Sequence, residues 1–161
     1  MLRLLPFPIF ICIYLFSWWS CKKNIIASDK QLKPCIDWAY IKNLINGYAT
    51  SEDSSFLIPN ATEDFLAVRP SGNPISAQGL VGMFESKDLV AESSELIKTH
   101  KIEIYGDIAY AVFTLNEIFS YQGTQNKDLS TYTCIFKNEN GTWKYAWMQR
   151  SQGTTDMKTW E

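Results

Sequence analysis

The sequence predicts an α+β fold in which three N-terminal helices pack on a curved, antiparallel four-stranded meander accompanied by a small β-hairpin. Three observations carry that expectation. Between residues 34 and 48, apolar side chains recur at spacings of three and four, the period of a helix face. From about residue 92 the pattern changes to alternation rich in β-branched and aromatic residues. The segments of this second half are joined by short polar connections, and strands so joined pair antiparallel, because parallel neighbours need a crossover. Helices first and strands second is an α+β order. The 161 residues leave room for one domain, and a hydrophobic content of 46% is enough to pack its core.

The chain opens with Met1–Ser20, which carries one charge, Arg3, ahead of the apolar stretch Leu4–Trp19. That is the layout of a signal peptide, and it is shorter than the ~20 apolar residues a membrane-spanning helix needs. Ser20-Cys21-Lys22-Lys23 follows. A small residue before a cysteine at the end of an apolar run resembles the lipobox of bacterial lipoproteins, in which that cysteine is lipidated. Trp18 and Trp19 depart from the usual Leu and small residue. The resemblance implies a lipid on Cys21 and a location at the periplasmic or cell-surface side of a bacterial membrane. Ordinary cleaved secretion and an uncleaved anchor are the alternatives. Residues 21–33 read as a tether, 34–152 as the folded domain and 153–161 as a tail.

Within the domain, Ile36, Tyr40, Leu44 and Tyr48, flanked by Ile41 and Ile45, form one helix face, with Pro34 suited to the first turn and Gly47 near the end. Ser54–Pro59 suits a short second helix, and Asp64–Val68 a strand. Arg69-Pro70-Ser71-Gly72-Asn73-Pro74 is a dense turn signal, so a hairpin is expected there. Ser76 sits where an N-cap belongs, before a third helix with Leu80, Val81 and Phe84 on one face. Four strands follow: Leu96–Tyr105, Ile108–Tyr121, Leu129–Lys137 and Thr142–Ser151, with Gln122–Asp128 as a polar loop between the second and third. Along Ile108–Tyr121 both parities are largely apolar, which predicts cover on both faces. Helices can cover one. A symmetric homodimer is the simplest cover for the other.

Composition excludes several classes of function. Fifteen Lys+Arg against seventeen Asp+Glu give a net charge of −2 without a basic cluster, which argues against a nucleic-acid partner. A single histidine excludes a His-rich metal site, and the four cysteines lack zinc spacing. No Gly-rich phosphate loop, Gly-x-Ser-x-Gly elbow or Cys-His pair of recognisable spacing is present, so no cofactor is expected and nucleophilic catalysis has no support. Cys35 and Cys134 are either a disulfide pair or two buried thiols.

Local motifs narrow the fold further. Glu63-Asp64-Phe65 through Pro70-x-Gly72, Gly106-Asp107-Ile108-Ala109, and Gly141-Thr142-Trp143-Lys144 through Gln149-Arg150-Ser151 together resemble the nuclear transport factor 2-like superfamily. This is the cone-shaped fold of SnoaL-like proteins and ketosteroid isomerase, and the likeness covers roughly residues 34–152. It implies the fold well and the activity poorly, since function lives in the site rather than in the fold. The isomerases' carboxylate base in the hairpin aligns with Arg69, a cation that cannot abstract a proton. Their second acid aligns with Tyr132, which can still donate a hydrogen bond. His100 has no carboxylate placed beside it, unlike the Asp-His arrangement of the family's cyclases.

Candidate site residues follow from pattern. Glu117 interrupts an apolar row, either as a desolvated acid in the cone or as an ion-paired side chain. Arg150 is suited to hold a ligand carboxylate or to pair with Glu117, and Arg69 to touch a pocket or sit on a solvated hairpin. Trp38, Tyr48, Phe65, Tyr132 and Trp147 are candidates for a cavity lining, against the plainer reading of core aromatics. The leading expectation is a lipoprotein domain that binds a small, partly apolar molecule without catalysis. Two others stand beside it: a SnoaL-like enzyme using Glu117 as base with Tyr132 or Arg150 as partner, and a module for dimerisation or protein interaction.

Overall fold

A computed structural model describes residues 32–51 and 54–152. The expected signal peptide, Cys21, most of the expected tether and the expected tail lie outside the described residues. The site belongs to the compact unit Ile36–Glu161. Its elements run α1 (Leu32–Thr50), a 3-10 turn (Ser54–Phe56), α2 (Leu57–Asn60), β1 (Ala61–Val68), β2 (Pro74–Ser76), α3 (Ala77–Glu85), β3 (Leu89–Tyr105), β4 (Ile108–Tyr121), β5 (Thr124–Glu139) and β6 (Thr142–Gln152).

The strands form one curved sheet in the order β2-β1-β6-β5-β4-β3. The expected hairpin is therefore not separate from the meander. β1 lies parallel to β6, with Ala67 opposite Met148 and Val68 opposite Gln149, so the sheet is six-stranded and mixed. Alternation within a strand reports which side chains share a face and not which distant strand lies alongside.

Two boundaries also shift. Residues 122–128 are not a loop: Gln122 and Gly123, both at positive φ, close a two-residue turn immediately after Tyr121. The polar run then pairs residue by residue with β4, Gln125 opposite Ser120 through Asp128 opposite Glu117. β3 likewise begins at Leu89 rather than Leu96 and carries bulges at three points, which suit an edge strand.

α1 docks through Ile41, Leu44, Ile45 and Ala49, all buried. Ile36 was expected on that face and is 65% exposed. It precedes Ile45 by nine residues, about two and a half turns at 3.6 residues each, which sets it on the opposite side of the helix. β6 pins the helix twice: Trp143 Nε1–H donates to Asp37 Oδ1 at 2.9 Å, and the Tyr145 hydroxyl donates to the Leu44 carbonyl at 3.0 Å. α3 starts as expected, with the Ser76 hydroxyl accepting from the Gly79 N–H at 3.1 Å.

The inner face of the sheet holds Ala109, Ala111, Phe113 and Leu115 of β4, Cys134 and Phe136 of β5, and Tyr145 and Met148 of β6, all buried. Cys134 is a free thiol there, so the Cys35–Cys134 disulfide is not formed. The other parity of β4 lies partly open in the single chain, on the face for which the sequence predicts a second copy as cover. Ile108 is 46% exposed, and Tyr110, Val112 and Ile118 are half-buried, because the helices reach only the inner face. Thr114 is the buried exception on that side, bonded to His100 Nε2 at 2.8 Å and to the Thr131 hydroxyl at 3.0 Å.

Candidate functional site

Strand pairing builds the polar part of the site. On β5 the inward parity runs Phe136, Cys134, Tyr132, Ser130 and Asp128, so the row that forms the core continues past it into polar residues. Asp128 faces Glu117 of β4 directly. Two like charges opposite one another repel, and a cation between them is the remedy. Arg150 of β6, opposite Tyr132, supplies it. Its Nε donates to Glu117 Oε2 at 3.1 Å and its Nη2 to Asp128 Oδ2 at 2.8 Å. The remaining carboxylate oxygens are also engaged: the Tyr132 hydroxyl donates to Glu117 Oε1 at 2.7 Å, and Gln152 Nε2 to Asp128 Oδ1 at 3.1 Å. The side chains of Arg150, Glu117 and Asp128 are 17%, 15% and 10% exposed, so this is a largely desolvated ion triad.

Aromatic packing fixes the phenol. Tyr132 stacks on Phe113 at 5.3 Å and meets Tyr48 of α1 edge-on at 5.6 Å. Burial, reinforced by Tyr48 and Glu117, holds the Tyr132 hydroxyl well above the ordinary phenol range, so it stays protonated and donates. Burial and Glu117 raise Tyr48 likewise. The Arg150 guanidinium lies over the Phe119 ring, 5.0 Å from its centroid.

The triad borders a cavity of about 400 Å³. Leu57, Ile75, Leu80, Met83 and Phe84, carried by α2, β2 and α3, form its apolar wall, and Phe119 of β4 lines it as well. Its volume falls in the range of small-ligand pockets, which are mostly apolar with a few convergent polar groups. Arg69, just past β1, lines the cavity at another point. Its Nε approaches the Asn73 carbonyl at 3.4 Å and its Nη1 the Met83 sulfur at 3.9 Å, and among the described residues no carboxylate pairs with it. Ser94 of β3, opposite Glu117, also lines the cavity, and its Oγ is buried without a hydrogen-bond partner.

Of the candidates read from sequence, the fold brings Tyr48, Arg69, Glu117, Tyr132 and Arg150 to the cavity. Trp38, Phe65 and Trp147 are not among its lining residues. Trp38 is 43% exposed on α1, where Lys42 Nζ sits 5.3 Å from the ring centroid. Phe65 is buried in the core. Trp147 pairs with Ile135 and Leu66, both partly exposed. A shift in register between Ile135 and Phe136 moves Trp147 out of phase with Tyr145, which makes it an outer-face residue. Arg150 was expected to hold a ligand carboxylate or to pair with Glu117, and it pairs. Asp128, Gln152 and Ser94 were missed. For Asp128 the signal was present: counting back by twos from Tyr132 reaches it. Among the described residues, no group of three or more His, Cys, Asp or Glu side chains is placed to hold a metal ion.

Residues 37–161 match a family described as protein of unknown function (DUF3804). The chain belongs to that family. An NTF2-like protein of unknown function from Prochlorococcus sp. NATL2A is 47% identical, over 83% of this chain and 100% of that one, with a TM-score of 0.69. The domain thus has the nuclear transport factor 2-like fold that its motifs resemble. An NTF2-like protein of unknown function in nutrient uptake, from Rhodospirillum rubrum, is similar at 17% identity, over 72% of this chain and 98% of that one, with a TM-score of 0.63. A ketosteroid isomerase-like protein from Erwinia carotovora is similar at 15%, over 72% and 95%, with a TM-score of 0.59. These two likenesses extend to the fold alone. No curated protein matches the chain.

Proposed function

We propose that this domain binds a small molecule in its cavity without transforming it. One observation carries the reading: the acid that sequence marks as the candidate base, Glu117, has one oxygen on Arg150 and the other on the Tyr132 hydroxyl. A general base must take up the substrate proton, and the donors already held on both oxygens of Glu117 compete with that proton for them. Here the proton donor that an oxyanion would use is committed to the base itself. Arg69 stands where the isomerases hold their base, which also weighs against isomerase chemistry of that type. The enzyme reading keeps one supporting feature, that Glu117 and Tyr132 both line the cavity. Native mass spectrometry of protein taken from its own host is expected to show a bound small molecule. Glu117→Gln is expected to change affinity modestly, with no turnover to lose. A substrate whose turnover falls by the ~10²–10⁴-fold typical of a lost general base would overturn the reading.

The same proposal places the domain outside a bacterial membrane, tethered through lipid on Cys21 and touching the membrane only there. It rests on the lipobox-like Ser20-Cys21 after the apolar run Leu4–Trp19. Cys21→Ser is expected to abolish fatty-acid labelling and leave the precursor uncleaved, whereas a mature protein starting elsewhere would reject the anchor. The partner expected on the outer sheet face is a second copy. Leu66, Trp147, Ile135 and Tyr110 form a row across four strands there, exposed or half-buried in the single chain. Light scattering at tens of micromolar is expected to give the dimer mass, and a monodisperse monomer would exclude it.

A further inference from the structure

The charge layout of the cavity says what kind of molecule it takes, an inference that rests on the binding reading above. Three features need explaining together. First, Arg150 is already offset by two carboxylates, so the triad carries a formal excess of one negative charge and repels an anion. The carboxylate oxygens each have one protein donor and retain room for another. Second, Ser94 lines the cavity in register with Glu117, and its Oγ has no hydrogen-bond partner among the described residues. Third, Arg69 lines the same cavity without an acid beside it. A guanidinium is suited to planar anions, and the apolar wall near it raises the value of such a contact.

These features are separated in space. Arg69 follows β1, Glu117 lies on β4 and Ser94 on β3, and the order β1-β6-β5-β4-β3 puts three strand spacings between β1 and β4. At about 4.8 Å per spacing the two backbones stand roughly 14 Å apart along the sheet. Long side chains on both sides shorten the gap to the length of a small ring compound. Met83 beside Arg69, Phe119 beside Arg150, and Phe84 line the same cavity.

We infer that the cavity takes an amphipathic monoanion, with its acid group on Arg69, its apolar body against Met83, Phe84 and Phe119, and an uncharged N–H or O–H donor at the far end facing Glu117 and Ser94. The donor satisfies a spare carboxylate lone pair, and where it is a hydroxyl it can also accept from Ser94. A dianion is disfavoured, because its second charge would meet the triad.

Three probes of nearly equal size separate the parts: indole-3-acetate has both ends, 1-naphthaleneacetate lacks the donor, and 3-methylindole lacks the acid. Titration calorimetry on the purified domain is expected to rank indole-3-acetate first, with 3-methylindole weaker by about 10- to 100-fold, the worth of a charge-assisted hydrogen bond. In Arg69→Gln that advantage should disappear while 3-methylindole binds as before, which also serves as the check that the cavity is intact. In Ser94→Ala and Glu117→Gln the preference for indole-3-acetate over 1-naphthaleneacetate should shrink. If all three probes bind alike and Arg69→Gln changes nothing, the ligand class is wrong and the binding cavity stands. If none binds at millimolar concentration, the binding reading falls and takes this inference with it.

Discussion

Replacing Arg150 by methionine is expected to cost the domain about 3–5 kcal/mol, the loss typical of removing one partner from a buried ion pair. Methionine preserves much of the side-chain volume, so the loss reports charge rather than a cavity. It arises because Glu117 and Asp128, opposite each other on β4 and β5 and 15% and 10% exposed, would face one another without a cation. Urea denaturation would show it as a lower midpoint with an unchanged slope. Neutralising the acids in the same chain, as Glu117→Gln with Asp128→Asn, should recover most of the loss, since isosteric neutral groups remove the repulsion. A loss below about 1 kcal/mol for Arg150→Met would mean that water screens the triad as it screens a surface pair.

Alkali should unfold the domain steeply. Tyr132, Tyr145 and Cys134 are 3%, 0% and 0% exposed, and burial raises all three well above the ordinary values of 10.0 for the phenols and 9.0 for the thiol. The sign follows from proton counting. Each group keeps its proton in the native state after the unfolded chain has lost it, so the native state binds more protons and stability falls as pH rises. The full contribution is present below about pH 9. Above about pH 10 each group removes roughly 1.4 kcal/mol per pH unit, about 4 kcal/mol per unit for the three. Against a total of about 5–15 kcal/mol for a domain, unfolding is expected between about pH 11 and 13. Circular dichroism at stepped pH, followed with phenolate absorbance, measures it directly. The phenolate signal of the buried tyrosines should rise only with the loss of ellipticity, and a phenolate signal that precedes unfolding would contradict it. Tyr145→Phe should flatten the slope, though it also gives up the bond to the Leu44 carbonyl.

The parts of this protein written in its sequence are those that local physics decides. The helix stripe around Ile41, Leu44 and Ile45 and the cap at Ser76 each depend on neighbours within a few residues, and the spacing shows them before any partner is known. The inward parity of β4 is legible for the same reason, and with it the position of Glu117 at the end of an apolar row. The family motifs named the fold on the same local evidence.

Only the tertiary structure decided what those residues meet. Glu117 reads equally well as a free base or an ion-paired acid until β6 places Arg150 beside it and β5 places Asp128 opposite it. The residues of that triad are 11, 22 and 33 positions apart, and sequence periodicity holds no information across such separations. The parallel seam between β1 and β6 is the same case, joining residues about 80 positions apart, and it brings Arg69 to the cavity. The bulge that turns Trp147 outward is another, because one inserted residue in β6 reverses the parity on which the cavity reading of that tryptophan depended. Short-range pattern sets which side chains are hidden. The pairing of distant strands sets which charges are opposed, and in this cavity that pairing determines which side chains remain available to a ligand.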